Sequence, residues 1–268
     1  MNPNYLLRNA EQVNSPALLF YRKLIQQNIQ RAVEVAGSAH RLRPHVKTHK
    51  TREIARMWLS AGVTKHKCAT IAEAEMLAMC GAADVLIAYP MVGPNCARLV
   101  ALARKYRETR FGLTIDHPKS LQMMATVLKD APLIDAYLDV DCGMHRTGIA
   151  AGAGAVPLAR QIATTGGLHF AGFHVYDGHN HQEKLAERKE AVESLFVSVR
   201  EMRTALESAG VAVQRIVAGG TPTFMAHALQ NIPGLECSPG TLSLHDYNYG
   251  TRYPELGIEP AALLLTRV

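Results

Sequence analysis

Strand-like runs alternate with longer segments of helical period along most of the chain. The strand candidates are 42–47 (LRPHVK), 63–69 (VTKHKCA), 84–90 (DVLIAYP), 111–116 (FGLTID), 133–141, 168–176, 215–220 and 235–240. Between them lie amphipathic stretches. In TREIARMWLSA, Ile54, Met57, Trp58 and Ala61 share one helical face. In TIAEAEMLAMCGA, Thr70 can cap and Glu73 follows three residues on, the spacing of a capping box. The longest helical run ends at Gly210, a residue suited to the left-handed turn that closes a helix. About eight repeats of strand then helix predict an α/β fold, a (β/α)8 TIM-type barrel, in preference to an open doubly wound sheet. PALLFYR and the helix-like KLIQQNIQRAVEVAG precede the first of these strands. The tail ends in ALLLTRV, which reads as the first strand of a further unit, so a longer protein is expected.

Composition narrows the class. The chain has 268 residues, near the ~250 typical of such a barrel, and 48% of them are hydrophobic, enough for a large core. The formal charge of +6 fits a small anionic ligand such as a phosphate. Nucleic acid is disfavoured, because no long basic block occurs and aromatics are not interleaved with the charges. Five cysteines without a Cys-x-x-Cys pair argue for reduced thiols and a cytoplasmic setting. No apolar stretch approaches ~18 residues, so no membrane span is expected.

In a parallel barrel the chemistry gathers at the C-terminal ends of the strands. In RPHVKTHK, alternation puts Arg43, His45 and Lys47 on one face. A lysine at such a strand end, desolvated and beside other cations, is held partly as the neutral amine, the form that attacks a carbonyl to give a Schiff base. A solvated basic loop is the plainer reading of the same octapeptide. VAGGTPTF (217–224) follows a strand and offers close-approaching glycine amides with the hydroxyls of Thr221 and Thr223; SPGT (238–241) offers a second such turn. Together they have the composition of a phosphate cup, although either could be an ordinary loop. DVDCGMHRTGI brings His145 and Arg146 to the rim, where Arg146 could meet an anion, a ring nitrogen, or Asp139 or Asp141 in a structural ion pair. GFHVYDGHNHQ gathers His174, Tyr176, His179 and His181 at one strand end. The i,i+2 spacing of His179 and His181 is not a specific metal signature, and His174 could equally be a core histidine.

Taken together, RPHVKTHK, KCATIAEAEML, DVDCGMHRTG, GGTPT and SPGT resemble the motifs of the fold-type III pyridoxal phosphate enzymes, the alanine-racemase-like barrels. More narrowly the chain resembles the D-threonine aldolase / D-serine dehydratase family. The resemblance implies that Lys47 carries pyridoxal 5′-phosphate. It implies that Thr221, Gly240 and Thr241 hold the phosphate with Thr223 nearby, and that Arg146 approaches the pyridine nitrogen. Tyr176, His174 and His181 would line the cofactor or substrate, with Lys47, His174 and His181 as the catalytic set. A guanidinium at the ring nitrogen would leave that nitrogen unprotonated.

The implied activity is a lyase acting on D-configured β-hydroxy amino acids, with retro-aldol cleavage to glycine and an aldehyde. The alternatives are a D-serine or 3-hydroxyaspartate dehydratase and a non-catalytic pyridoxal-phosphate-binding barrel; a racemase would need an acid/base tyrosine from a second domain. Relatives use a divalent metal, Mn or Zn, whose ligands lie in a C-terminal β domain, so no metal ligands are assigned in this chain. The expected organisation is 1–15 as a segment of that β domain, 16–245 as the cofactor-binding barrel, and 246–268 as the start of the β domain, which is largely missing. A homodimer acting on a small D-amino acid is the implied assembly.

Overall fold

The computed structural model describes residues 3–268; residues 1 and 2 of the expected 1–15 segment lie outside the described residues. In chain order the elements are β1 (Ala17–Phe20), α1 (Arg22–Ala36), α2 (Arg52–Ser60), β2 (Lys65–Cys68), α3 (Ile71–Met79), β3 (Asp84–Pro90), α4 (Pro94–Lys105), β4 (Arg110–Ile115), α5 (Pro118–Ala125), β5 (Ile134–Asp141) and the short β6 (Ile149–Ala150). Then follow α6 (Val156–Thr164), β7 (Leu168–Val175), α7 (Leu185–Ser208), β8 (Arg215–Ala218), α8 (Phe224–Ala228), β9 (Leu235–Cys237), α9 (Tyr247–Arg252) and β10 (Ala262–Leu265).

Strands β2, β3, β4, β5, β7, β8 and β9 form one parallel sheet in that order. The segment 42–45 closes it. Arg43 N donates to Cys237 O at 2.8 Å and His45 N to Pro239 O at 2.9 Å, while Lys67 N donates to Pro44 O at 2.9 Å. Only Leu42 and His45 form bridges there, because Pro44 has no N–H to give to a ladder. The expected strand 42–47 therefore stops at His45, and Lys47 sits in a tight 3-10 turn, Val46–Thr48. The eight-fold barrel expectation holds with this irregular first stave.

Inside, the barrel is layered. Leu86, Tyr137, Ala171 and Val217 form an apolar belt apart from the outer core. Below it, at the N-terminal strand ends, lies a charged floor. Arg43 is fully buried, with Nη1 2.6 Å from Asp84 Oδ1 and Nε 2.6 Å from Glu236 Oε2. Arg215 adds contacts to Asp84 and to the Tyr137 hydroxyl. Outside, the helices bury one stripe each: α7 buries Val192, Phe196, Val199, Met202 and Leu206, a helical period. Thr70 caps α3 as expected, its Oγ1 accepting from Glu73 N, but Glu73 Oε2 accepts from Ala69 N, one residue before the N-cap, in place of the N-cap N–H of a full capping box.

One register shift matters for the site. Between Ala136 and Tyr137, β7 contains an extra residue, and Gly172 sits at φ +137° with a would-be Cβ 1.9 Å from Arg215 O. The bulge re-phases β7 so that His174, not Phe173, faces Asp139. Outside the barrel, β1 pairs antiparallel with β10. The segment placed at the start of the barrel by sequence thus hydrogen-bonds to the tail. No helix among the described residues is long and apolar enough to cross a membrane.

Candidate functional site

Above the apolar belt, the C-terminal strand ends enclose a cavity of about 550 Å³. Lys47, Arg146, His174, Tyr176, Thr221, Gly240 and Thr241 all line it, together with His45, Lys67 and Tyr249. A roomier groove of about 870 Å³ lies outside the barrel between α1 and α2, lined by Ile25, Ile29, Ile54 and Met57, and none of the strand-end residues reaches it.

Tyr176 organises the charges. Lys47 Nζ stands 5.8 Å from its ring centroid, Lys67 Nζ 5.7 Å and the Arg146 guanidinium carbon 4.8 Å. An electron-rich ring face attracts each cation. Gly178 lets the ring fold back, since a Cβ there would lie 2.5 Å from the Tyr176 ring and hydroxyl. Burial, then the charge of Arg146, push the Lys47 amine below its ordinary value. Lys47 is itself exposed at the cavity mouth. It is thus open to an incoming ligand while its ammonium form is disfavoured.

Beneath it runs a buried chain of three groups. Asp139 Oδ1 lies 2.6 Å from His174 Nδ1, and His174 Nε2 lies 3.3 Å from Lys67 Nζ. Burial tends to raise the Asp139 carboxyl, but the neighbouring His174 holds it below its usual range. Burial and Lys67 hold His174 neutral, against the pull of Asp139. A neutral His174 with its Nδ1–H on Asp139 presents its Nε2 lone pair to Lys67.

The opposite wall is an amide cup. Gly240 N and Thr241 N point at Thr221 Oγ1, at 3.3 and 3.1 Å. Two N–H groups and a hydroxyl at one point suit an anion's oxygens. The cup rests on a second buried chain. Thr223 Oγ1 accepts from Gly220 N at 3.2 Å and donates to Asp177 Oδ1 at 2.8 Å, and Asp177 Oδ2 is 2.8 Å from His227 Nε2. Gly219, at φ +80°, permits the turn, and a Cβ there would lie 2.5 Å from the His227 ring.

Two residues of the expected set lie elsewhere. Thr223, grouped by sequence with the phosphate ligands, is buried under the cup with its hydroxyl committed to Asp177. His181, grouped with the catalytic residues, is exposed outside the cavity, and its carbonyl accepts from Arg252 and Tyr253. Asp141 pairs with His145 and Asp139 with His174, so neither carboxylate takes Arg146. Lys67 and Tyr249 were not picked out from sequence. The alternation used for RPHVKTHK, applied to VTKHKCA, would have turned Lys67 inward beside Lys65; Tyr249 carries no comparable signal.

Comparison with known proteins bears on the family and the fold. A family model described as alanine racemase, N-terminal domain, matches residues 22–243. The chain belongs to that family. A D-threonine aldolase from Arthrobacter sp is 28% identical over 242 residues, covering 89% of this chain and 63% of the relative. A 3-hydroxy-D-aspartate aldolase from Paracoccus denitrificans is 27% identical, covering 89% and 62%. The chain thus spans a little over three fifths of the length of these curated relatives. The crystal structure of a D-threonine aldolase from Filomicrobium marinum superposes with a TM-score of 0.88 at 27% identity, over 97% of this chain and 72% of that one.

Proposed function

We propose that this chain is the cofactor-binding barrel of a pyridoxal-phosphate-dependent lyase that cleaves D-configured β-hydroxy amino acids, in the manner of a D-threonine aldolase. One observation carries the reading: a lysine amine held below its ordinary pKa and a hydroxyl–amide cup line the same cavity. The names of the aligned relatives support the substrate class. The cavity, about 550 Å³, has the size of a small-ligand site. Gly220 and Gly240 leave the cup floor free of side chains, which suits the close approach of a phosphate.

The chemistry supplied by pyridoxal phosphate, when bound, is an aldehyde for amines and a ring that withdraws electrons from the bonds at a substrate's α-carbon. Lys47 offers the amine. Thr221, Gly240 and Thr241 would hold the phosphate. Arg146, stacked on Tyr176 at the rim, would donate to the ring nitrogen. His174 holds its proton at Nδ1 against Asp139 and keeps Nε2 free to accept. Among the described residues no three His, Cys, Asp or Glu side chains converge to hold a metal ion, and no step is assigned to one. The exposed Leu18, Phe20 and Leu264 on the β1–β10 sheet support assembly as a homodimer, and five free thiols support a reducing, cytoplasmic setting.

The test is spectroscopic, then chemical. Excess cofactor should give the wild type a visible absorbance band that Lys47→Ala lacks; a colourless wild type refutes the proposal. D-threonine with Mn²⁺ should then yield glycine and acetaldehyde. Pyruvate and ammonia from D-serine would instead favour the dehydratase, a reading supported by a D-serine dehydratase from Schizosaccharomyces pombe at 24% identity over 93% of this chain. A band with no turnover would favour the binding-only barrel.

A further inference from the structure

We infer that Lys67 is the proton acceptor of this cavity, the group that strips the α-ammonium of an incoming amino acid so that its nitrogen can act as a nucleophile. The inference rests on the proposed lyase reading and assigns a second amine beside Lys47. An amino acid in water carries its nitrogen as an ammonium, which has no lone pair with which to attack a carbonyl carbon. Some group must take that proton.

Geometry singles out Lys67. It is 2% exposed, yet it lines the cavity at the level of the Tyr176 ring. Its Nζ has an acceptor waiting, His174 Nε2 at 3.3 Å, and the tautomer of that ring is fixed by Asp139 at 2.6 Å. The ammonium formed on proton uptake is therefore held by a hydrogen bond, with a carboxylate one residue further back. Lys47 and Arg146 press positive charge on the same space, which lowers the ligand's own ammonium as well.

The charged groups around Lys67 come from three neighbouring segments, while its partner strand β3 sets Leu86 opposite it. Segment 42–45 and the turn after it supply Arg43, His45 and Lys47; β5 supplies Asp139; β7 and its following loop supply His174 and Asp177. Burial first, then Lys47, bring Lys67 down to about 7, while Asp139 and Asp177 pull upward. His45 stays neutral, pushed down by burial and then by Lys67.

The step balances without a co-reactant. The ligand's N–H bond breaks, its electron pair stays on the α-nitrogen, and the proton forms a new N–H bond at Lys67 Nζ. The departing product's amine takes the proton back.

The experiment reads Lys67 directly in the unloaded wild-type chain. Trace acetylation across pH 5 to 10, followed by peptide mass spectrometry, reports the neutral fraction of each lysine. Lys67 should show a midpoint near 7. Asp139→Asn, which removes an upward pull, should move it lower. A midpoint near the ordinary ~10.4, or no movement in Asp139→Asn, overturns the inference. In the loaded protein, Lys67→Gln and Lys67→Arg should lower kcat/KM about 100-fold while the absorbance band persists. Wild-type kcat/KM in both variants overturns the inference. A midpoint near 7 with no turnover of any D-amino acid overturns the lyase reading and the substrate-proton step with it. A lysine-like midpoint with turnover intact overturns the Lys67 assignment alone.

Discussion

Replacing Asp177 by alanine should loosen the amide cup from below without touching its lining. The carboxylate is fully buried and serves two partners: it accepts the Thr223 hydroxyl at 2.8 Å and faces His227 Nε2 at 2.8 Å. A hydrogen bond to a charged group contributes about 1.5–3 kcal/mol, so two such bonds give about 3–6 kcal/mol. Removing one member of a buried pair costs about 3–5 kcal/mol by a separate route. We therefore expect a loss of about 4 kcal/mol, read as a lower urea midpoint at unchanged slope. At ~2–4 °C per kcal/mol for a chain of this size, Tm should fall by about 8–16 °C. Thr223 then loses its anchor, and with it the hold on Gly220 N. Cofactor affinity should fall in titrations run well below the new Tm. Asp177→Asn, which keeps one acceptor oxygen, should lie between the two. A Tm within about 2 °C of wild type, with unchanged cofactor affinity, would refute the claim that this buried chain supports the cup.

The barrel floor and the buried histidines yield two further expectations. Arg43→Met should cost about 3–5 kcal/mol in denaturant unfolding, because Asp84 and Glu236 each lose a buried cation; a shift under about 1 kcal/mol would mean that Arg215 and Lys65 suffice. His49 is brought down to about 4 and His66 to about 3, both chiefly by burial. Each is held neutral in the fold, while the unfolded chain takes up a proton below about 6.5. Stability should therefore be intact above that pH and decline as pH falls from about 6.5 towards 3. Urea midpoints from pH 7 down to pH 4 will show it; a flat profile would contradict it.

Where sequence succeeded and where it failed follows from the range of the interactions. The strands could be read because each is a short run bounded by turn residues, and the barrel follows from their repetition. Lys47 and the Gly-Thr turns stand out because their motifs are local, and they line one cavity. Thr223, expected near the phosphate site, lies directly beneath the cup, and only the three-dimensional position of Asp177 separates its part from that of Thr221. His181 misled because a histidine-rich loop does not reveal which ring turns inward; the bulge at Gly172 decides that for His174. The β1–β10 pairing joins Ala17 to Leu265, a separation over which no local pattern carries information. Lys67 lay within reach of the alternation rule.

The ionic floor around Arg43 and the apolar belt above it make this barrel a well rather than a pipe. A ligand of the cavity would pass the exposed side chains at its upper end, Lys47, Tyr89 and Arg146. Whatever covers or narrows that end would govern arrival and departure together, because the belt and the ionic floor fill the barrel below.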